Sequence, residues 1–143
     1  MHRIVKSCYL DMAHRIKDHG GRCSSLHGHT WKIELSLSCE DTALNSLGMV
    51  IDFGELKERF FSALDLRFDH SCILSKDDDY LDCTNMKKLN IQKLPLSHLT
   101  AETISKFFYE MAKVEFNAEG VSVDYVRVYE QLHPTESYAE YSK

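Results

Sequence analysis

The run Cys23-Ser24-Ser25-Leu26-His27-Gly28-His29 holds the residues best suited to chemistry. Beyond Gly28, the residues Trp31, Ile33, Leu35 and Leu37 alternate with Thr30, Lys32, Glu34 and Ser36. A period of two predicts a strand, from about His27 to Cys39. His27 and His29 share the parity of the apolar set. Both therefore point to the buried face, one pleat apart, where two imidazoles can close on one metal ion. Gly28 leaves the opposite face without bulk, and Cys23 sits in a turn that can fold back over the same ion. A third ligand is offered by the N-terminal segment. One parity there reads Ile4, Lys6, Cys8, Leu10, Met12, His14, Ile16. If this segment pairs with the His27 strand, His14 joins the same side. Three histidines make the open zinc set used in catalysis, with a fourth position left for water or substrate. The competing reading is ordinary core or surface histidines, since the chain has eight. Three histidines on apolar faces beside a cysteine favour metal.

The elements that must position them follow from the same patterning. A first strand over 2–16 and a second from His27 to Cys39 flank a polar loop over 17–25, and hairpin logic makes them antiparallel neighbours. Asp52, with Glu55 three residues on, resembles a helix-capping box. Behind it Phe53, Leu56, Phe60, Phe61 and Leu64 recur at helical spacing, so Asp52 reads as structural. Residues 75–99 are polar, with an acidic run at Asp77-Asp78-Asp79 and a breaker at Pro95, and read as an inserted loop. Thr100 then caps a second helix, with Glu102 suited to its positive start and Ile104, Phe107, Phe108 and Met111 on one face. A third strand runs from Val121 to Glu130. A short fourth, about Ser137 to Tyr141, follows a turn at His133-Pro134. The order β-β-α-α-β-β predicts an α+β fold: a four-stranded antiparallel sheet with two helices on one face.

A chain of 143 residues suits one domain, 1–143, that carries the 75–99 loop. Its net charge of -5, without a basic block, argues against non-specific nucleic-acid binding. The five cysteines are odd in number and include no Cys-x-x-Cys pair. With no signal peptide and no transmembrane run in the sequence, a reducing cytoplasm with free thiols is expected. Cys8, Cys39, Cys72 and Cys83 read as small packing residues.

A larger set of residues carries a resemblance. Ala13-His14-Arg15, Cys23-x-x-x-His27-Gly28-His29, Gly48-Met49-Val50-Ile51-Asp52-Phe53, Asp69-His70, Thr100-Ala101-Glu102 and Val126-x-Val128-x-Glu130 occur in one order over most of the chain. Together they resemble the 6-pyruvoyl-tetrahydropterin synthase / 6-carboxy-tetrahydropterin synthase family. The four-residue step from Cys23 to His27 resembles the short bacterial 6-carboxy members of the queuosine pathway. The sequence departs from the family pattern at Leu99, where proline commonly precedes Thr-Ala-Glu. It departs again at Gln131, where threonine is common, at Leu10-Asp11-Met12 and at Phe68.

The resemblance implies the tunnelling fold, in which three subunits close their sheets into a barrel. Two trimers then stack into a homo-hexamer with active sites between subunits. It implies 7,8-dihydroneopterin triphosphate as substrate and zinc held by His14, His27 and His29. Cys23 would be the general base as thiolate, with Asp69 and His70 as a proton relay. Glu130 would anchor the pterin through its 2-amino and N3–H edge. Taken alone, Glu130 is an ordinary charge at a strand end, and Thr100 and Glu102 are helix-start residues with a pocket role as a second possibility. Arg15, Lys17 and Arg22 either meet the triphosphate or are solvated charges. Loss of triphosphate followed by carbon–carbon cleavage would release acetaldehyde and leave 6-carboxy-5,6,7,8-tetrahydropterin. The alternatives are the pyruvoyl-forming sister reaction and, from another class, a non-catalytic zinc or pterin-binding protein.

Overall fold

The computed structural model describes residues 1–80, 89–116 and 120–143. Its long elements lie where the patterning places them. Strand β1 spans His2–His14 and β2 spans His27–Cys39. They pair antiparallel in unbroken register from His2 opposite Cys39 to His14 opposite His27. β1 stops at His14, two residues short of the expected end, because Arg15 and Ile16 turn away to bond the Cys23 loop.

The first helical segment is one continuous path in three parts: α1 (Phe53–Leu56), a π-helical stretch (Lys57–Phe61) and α2 (Ser62–Phe68). Asp52 caps it, its Oδ1 accepting from the N–H groups of Gly54 and Glu55 at 2.7 and 3.2 Å. Glu55 does not complete a reciprocal box; its carboxylate pairs with Arg59 one turn on. The π stretch falls where the adjacent Phe60 and Phe61 are both buried, and its extra residue accommodates the two rings. Helix α3 (Ala101–Phe116) starts at Thr100, whose Oγ1 accepts from Thr103 N–H at 3.4 Å while Thr103 Oγ1 accepts from Thr100 N–H at 3.2 Å.

The sheet differs from the expectation. It has six strands, in the order β4-β3-β1-β2-β5-β6, and is mixed. β1, β2, β5 (Ser122–Gln131) and β6 (Ser137–Ser142) form the expected antiparallel part. The two additional strands, β3 (Ser71–Ser75) and β4 (Ile91–Leu94), run parallel to β1 and to each other. All five residues of β3 are buried, so it lacks the alternation by which a half-exposed strand is recognised. The 75–99 segment is therefore only partly loop. Its residues 81–88, with Cys83, lie outside the described residues.

The helices cover one face of the sheet. Leu10, Met12, Trp31, Ile33, Leu35, Val126 and Val128 meet Phe60, Leu64, Phe68, Ile104, Phe108 and Phe116 in a single cluster. Burial of such side chains stabilises by about 1.5–3 kcal/mol each, which holds the strand ends that carry the histidines. Cys39 and Cys72 are buried free thiols, and burial pushes the Cys8 thiol up to about 12, so these three pack rather than react. Among the described residues no helix is long and apolar enough to cross a membrane.

Candidate active site

The hairpin register builds the histidine cluster. His14 is directly opposite His27, and His29 faces the same side two residues along, opposite Met12. The ring centroids of His14 lie 4.6 Å from His27 and 5.3 Å from His29, and those of His27 and His29 are 4.9 Å apart. Trp31 closes the floor, edge-on to His14 at 4.8 Å and to His29 at 5.3 Å, with its Nε1–H bonded to Met12 O.

Two of the rings are oriented by the backbone. His14 Nδ1 donates to Leu99 O at 2.8 Å and His27 Nδ1 donates to Ser25 O at 2.7 Å. Each contact turns the Nε2 lone pair inward, the arrangement a metal-binding imidazole needs. Leu99, a departure from the family pattern, serves here through its carbonyl, which any residue type supplies. His14 Nε2 and His29 Nε2 are buried, and among the described residues neither makes a well-formed hydrogen bond. Burial also lowers the pKa of His29, which favours the neutral ring that ligates.

Glu130 completes the group. In the pairing of β5 with β6, Tyr129 faces Tyr138 and Gln131 faces Ser137, so Glu130 is the extra residue of a bulge. Bulges re-aim side chains, and this one turns Glu130 Oε1 to 3.1 Å from His14 Nε2 and 3.4 Å from His29 Nε2. Its carboxyl is held below the usual range, first by His14, against the opposing effect of burial. One ligand atom from each of His14, His27, His29 and Glu130 lies within 4.8 Å of the others, so the four can hold a metal ion. Buried nitrogens and a nitrogen-plus-carboxylate donor set fit zinc.

Glu130 also lines a cavity of about 430 Å³ together with Thr100, Glu102, His19, Ser137 and Tyr138. Thr100 and Glu102 thus border the same space as the carboxylate. Nothing in the sequence pattern singles out His19 or Tyr138, which also line this cavity.

The Asp69–His70 pair is built separately. His70 has a positive φ of 55°, a conformation unusual for a residue with a side chain. Both residues hang on Asp11 of β1: Asp69 Oδ1 accepts from Asp11 N–H and His70 N–H donates to Asp11 O, each at 2.8 Å. His70 Nδ1 donates to Asp69 Oδ2 at 2.6 Å. The Asp11 amide is the main cause holding Asp69 below the usual carboxylate range, while Asp69 raises His70. The His70 side chain is 80% exposed. It borders a cavity of about 450 Å³ with Asp11, Ala13, Gly28 and Thr30. A Cβ at Gly28 would meet nothing nearer than Met12 O at 3.6 Å, so glycine there leaves that cavity open rather than relieving a clash.

Cys23 sits in a 3-10 turn, Arg22–Ser24, half-buried and outside the four-donor group. Among the described residues no hydrogen bond links it to Asp69 or His70. Arg15, 14% exposed, pairs with Asp78 at 2.8 Å.

Comparison with known proteins settles the family. The family model described as 6-pyruvoyl tetrahydropterin synthase matches residues 3–143. The chain belongs to that family. A relative from Rickettsia conorii named 6-carboxy-5,6,7,8-tetrahydropterin synthase is 35% identical over 118 residues, covering 76% of this chain and 84% of its own length. One of the same name from Haemophilus influenzae is 31% identical over 147 residues and covers both chains fully. The crystal structure of 6-pyruvoyl tetrahydropterin synthase from Plasmodium vivax superposes with a TM-score of 0.70 at 21% identity, over 99% of this chain and 98% of that one. This match is to the fold alone. It places the mixed sheet with its few helices among the tetrahydropterin synthases.

Proposed function

We propose that the chain is a zinc-dependent lyase that converts 7,8-dihydroneopterin triphosphate to 6-carboxy-5,6,7,8-tetrahydropterin, releasing triphosphate and acetaldehyde, in queuosine-type deazapurine biosynthesis. The observation that carries this reading is the convergence of three histidine nitrogens, two of them buried with the Glu130 carboxylate beside them, at the border of a cavity of about 430 Å³. The 6-carboxy product is favoured over the pyruvoyl one by the names of the relatives at 31–35% identity.

His14, His27 and His29 hold the ion. Bound there, zinc would supply Lewis acidity that makes the C–H and O–H groups of the substrate side chain easier to deprotonate. Glu130 accepts the 2-amino and N3–H groups of the pterin, a bidentate match that orients the ring. Thr100 borders that ring pocket and Glu102 lies beside it. Cys23 as thiolate takes the side-chain proton. His70, oriented by Asp69, delivers or accepts the second proton, in the way a base and its orienting carboxylate divide the work.

The exposed dyad and the cysteine belong to different parts of one chain, which fits a homo-oligomer with active sites between subunits. A dyad of one copy then faces the cysteine of the next. The sheet face away from the helices presents Tyr9 and Tyr138, each more than half exposed, and supports closure of the sheets into a barrel, trimers stacking into a hexamer.

A second reading concerns Glu130. Its oxygen stands as near His14 as a fourth ligand would. A site closed by four protein ligands is structural rather than catalytic. Glu130→Ala separates the two: zinc is retained and pterin binding weakens under the main reading, and zinc is lost under the other. The activity itself is tested by incubating the zinc-loaded protein with dihydroneopterin triphosphate and identifying products by mass spectrometry. The carboxy product with acetaldehyde is expected. A pyruvoyl product assigns the sister reaction, and unchanged substrate leaves a binding protein.

A further inference from the structure

Arg15 follows the buried His14 directly, where β1 has ended. Its guanidinium, 14% exposed, makes two bonds to Asp78: Nε to Oδ2 at 2.8 Å and Nη2 to Oδ1 at 3.0 Å. The Asp78 side chain is 1% exposed, although its neighbours Asp77 and Asp79 are not buried. Asp78 is fixed in turn, its N–H donating to Ser75 O and its Oδ1 accepting from Tyr80 N–H, both at 3.0 Å. The ring of Tyr80 stacks on Arg15, 4.2 Å from Cζ.

The same guanidinium reaches the cysteine turn. Arg15 Nη1 donates to Ser24 O at 3.1 Å, and one residue on Ile16 N–H donates to Cys23 O at 2.7 Å. Two carbonyls of the Arg22–Ser24 turn are therefore tied to the segment that leaves His14. That segment is in turn tied to the loop that follows β3.

A buried ion pair is weak evidence of stabilisation, because an apolar pair of similar volume often serves as well. What the apolar pair lacks is a donor for Ser24 O. A guanidinium fork can grip a carboxylate with two nitrogens and still present the third to a carbonyl; an ammonium cannot hold that geometry. We propose that Arg15 and Asp78 are positioning residues for Cys23: the pair holds the Arg22–Ser24 turn so that the thiol keeps a set place relative to the histidine cluster. The inference rests on Cys23 being the base of the proposed reaction.

The test is a double variant, Arg15→Met/Asp78→Leu, which removes both charges and leaves none unpaired. Zinc per chain and the KM for dihydroneopterin triphosphate should stay within about threefold, while kcat falls about 10–100-fold, the scale of a misplaced reacting group. In a Cys23→Ala background the same double change should cost nothing further, since the pair acts through the thiol. The Ile16 amide, bonded to Cys23 O, should exchange its hydrogen about tenfold faster. An unchanged kcat, or an equal loss with and without Cys23, overturns the proposal. A raised KM with kcat kept also overturns it and makes Arg15 a phosphate ligand. If the double variant does not fold, Arg15→Lys keeps the charge opposite Asp78 and lacks the Ser24 contact; the same fall in kcat is expected, and full activity overturns the proposal. Should the unaltered protein leave the pterin triphosphate intact, the proposed reaction fails, and slow exchange at Ile16 in the variant would independently sink the tether.

Discussion

The histidine cluster and the Asp69–His70 dyad are opposite solutions to placing a functional side chain. The cluster sits at the ends of two thirteen-residue strands in continuous register, with His14 fully buried. Its geometry is a by-product of the sheet, so any force that holds the core also holds the rings. The dyad rests on two backbone bonds to Asp11 and on a left-handed residue, with His70 largely exposed. The first is complete within one chain. The second is aimed outward and gains its full meaning in our proposal only from a neighbouring copy.

The comparison breaks most sharply at the ligands. His27→Ala should lower zinc affinity by more than about 100-fold, since even the outer partners of a ligating histidine are worth about 10–100-fold. Turnover should fall with it. Metal analysis after gel filtration checks this, and full occupancy would remove His27 from the set.

Cys23→Ala comes next. Turnover should fall by about 10²–10⁴, the usual contribution of a positioned base, with zinc retained because the thiol lies outside the donor group. Loss of zinc with activity would make the cysteine a ligand.

Asp69→Asn probes the exposed side. Turnover should drop by about 10²-fold, the lower end for a proton-transfer group, with no change in zinc. Asp69 raises His70 above its ordinary 6.5, so the pairing is at full strength below that value and is lost as pH rises through the raised one. Asp69 is lowered from 3.8, so its share is present above that value and is lost as pH falls through the lowered one. In the variant the His70 ring should titrate nearer 6.5, read by NMR of its C–H protons. An unmoved midpoint would show that the 2.6 Å contact does not persist in solution.

The smallest effect expected is at Thr100. Its capping bond is long, 3.4 Å, so Thr100→Ala should cost about 0.5–1 kcal/mol of stability by denaturant unfolding. A rise in KM beyond that would give Thr100 the pocket role as well.

The same contrast explains what the sequence made legible. His14, His27 and His29 were readable because strand parity assigns a face, and a hairpin then assigns a register. Thr100 and Asp52 announced themselves as caps for equally local reasons. β3 and β4 were hidden because short parallel strands buried on both faces have no alternation, and their pairing joins segments distant in the chain. Asp78 belongs, by sequence, to the acidic run of a polar loop; its burial goes with its pairing to Arg15, which no periodicity reports. The bulge that aims Glu130 at the histidines depends on how β5 and β6 pair, which the residues of β5 alone do not state.

The central claim, that an ion held by His14, His27 and His29 is required for conversion of the pterin triphosphate, is tested most directly by stripping and restoring the metal. The protein is treated with a chelator, assayed with 7,8-dihydroneopterin triphosphate, and titrated with zinc. The account predicts loss of product formation, recovered in proportion to added zinc and complete near one ion per chain. Undiminished turnover by metal-free protein would contradict it.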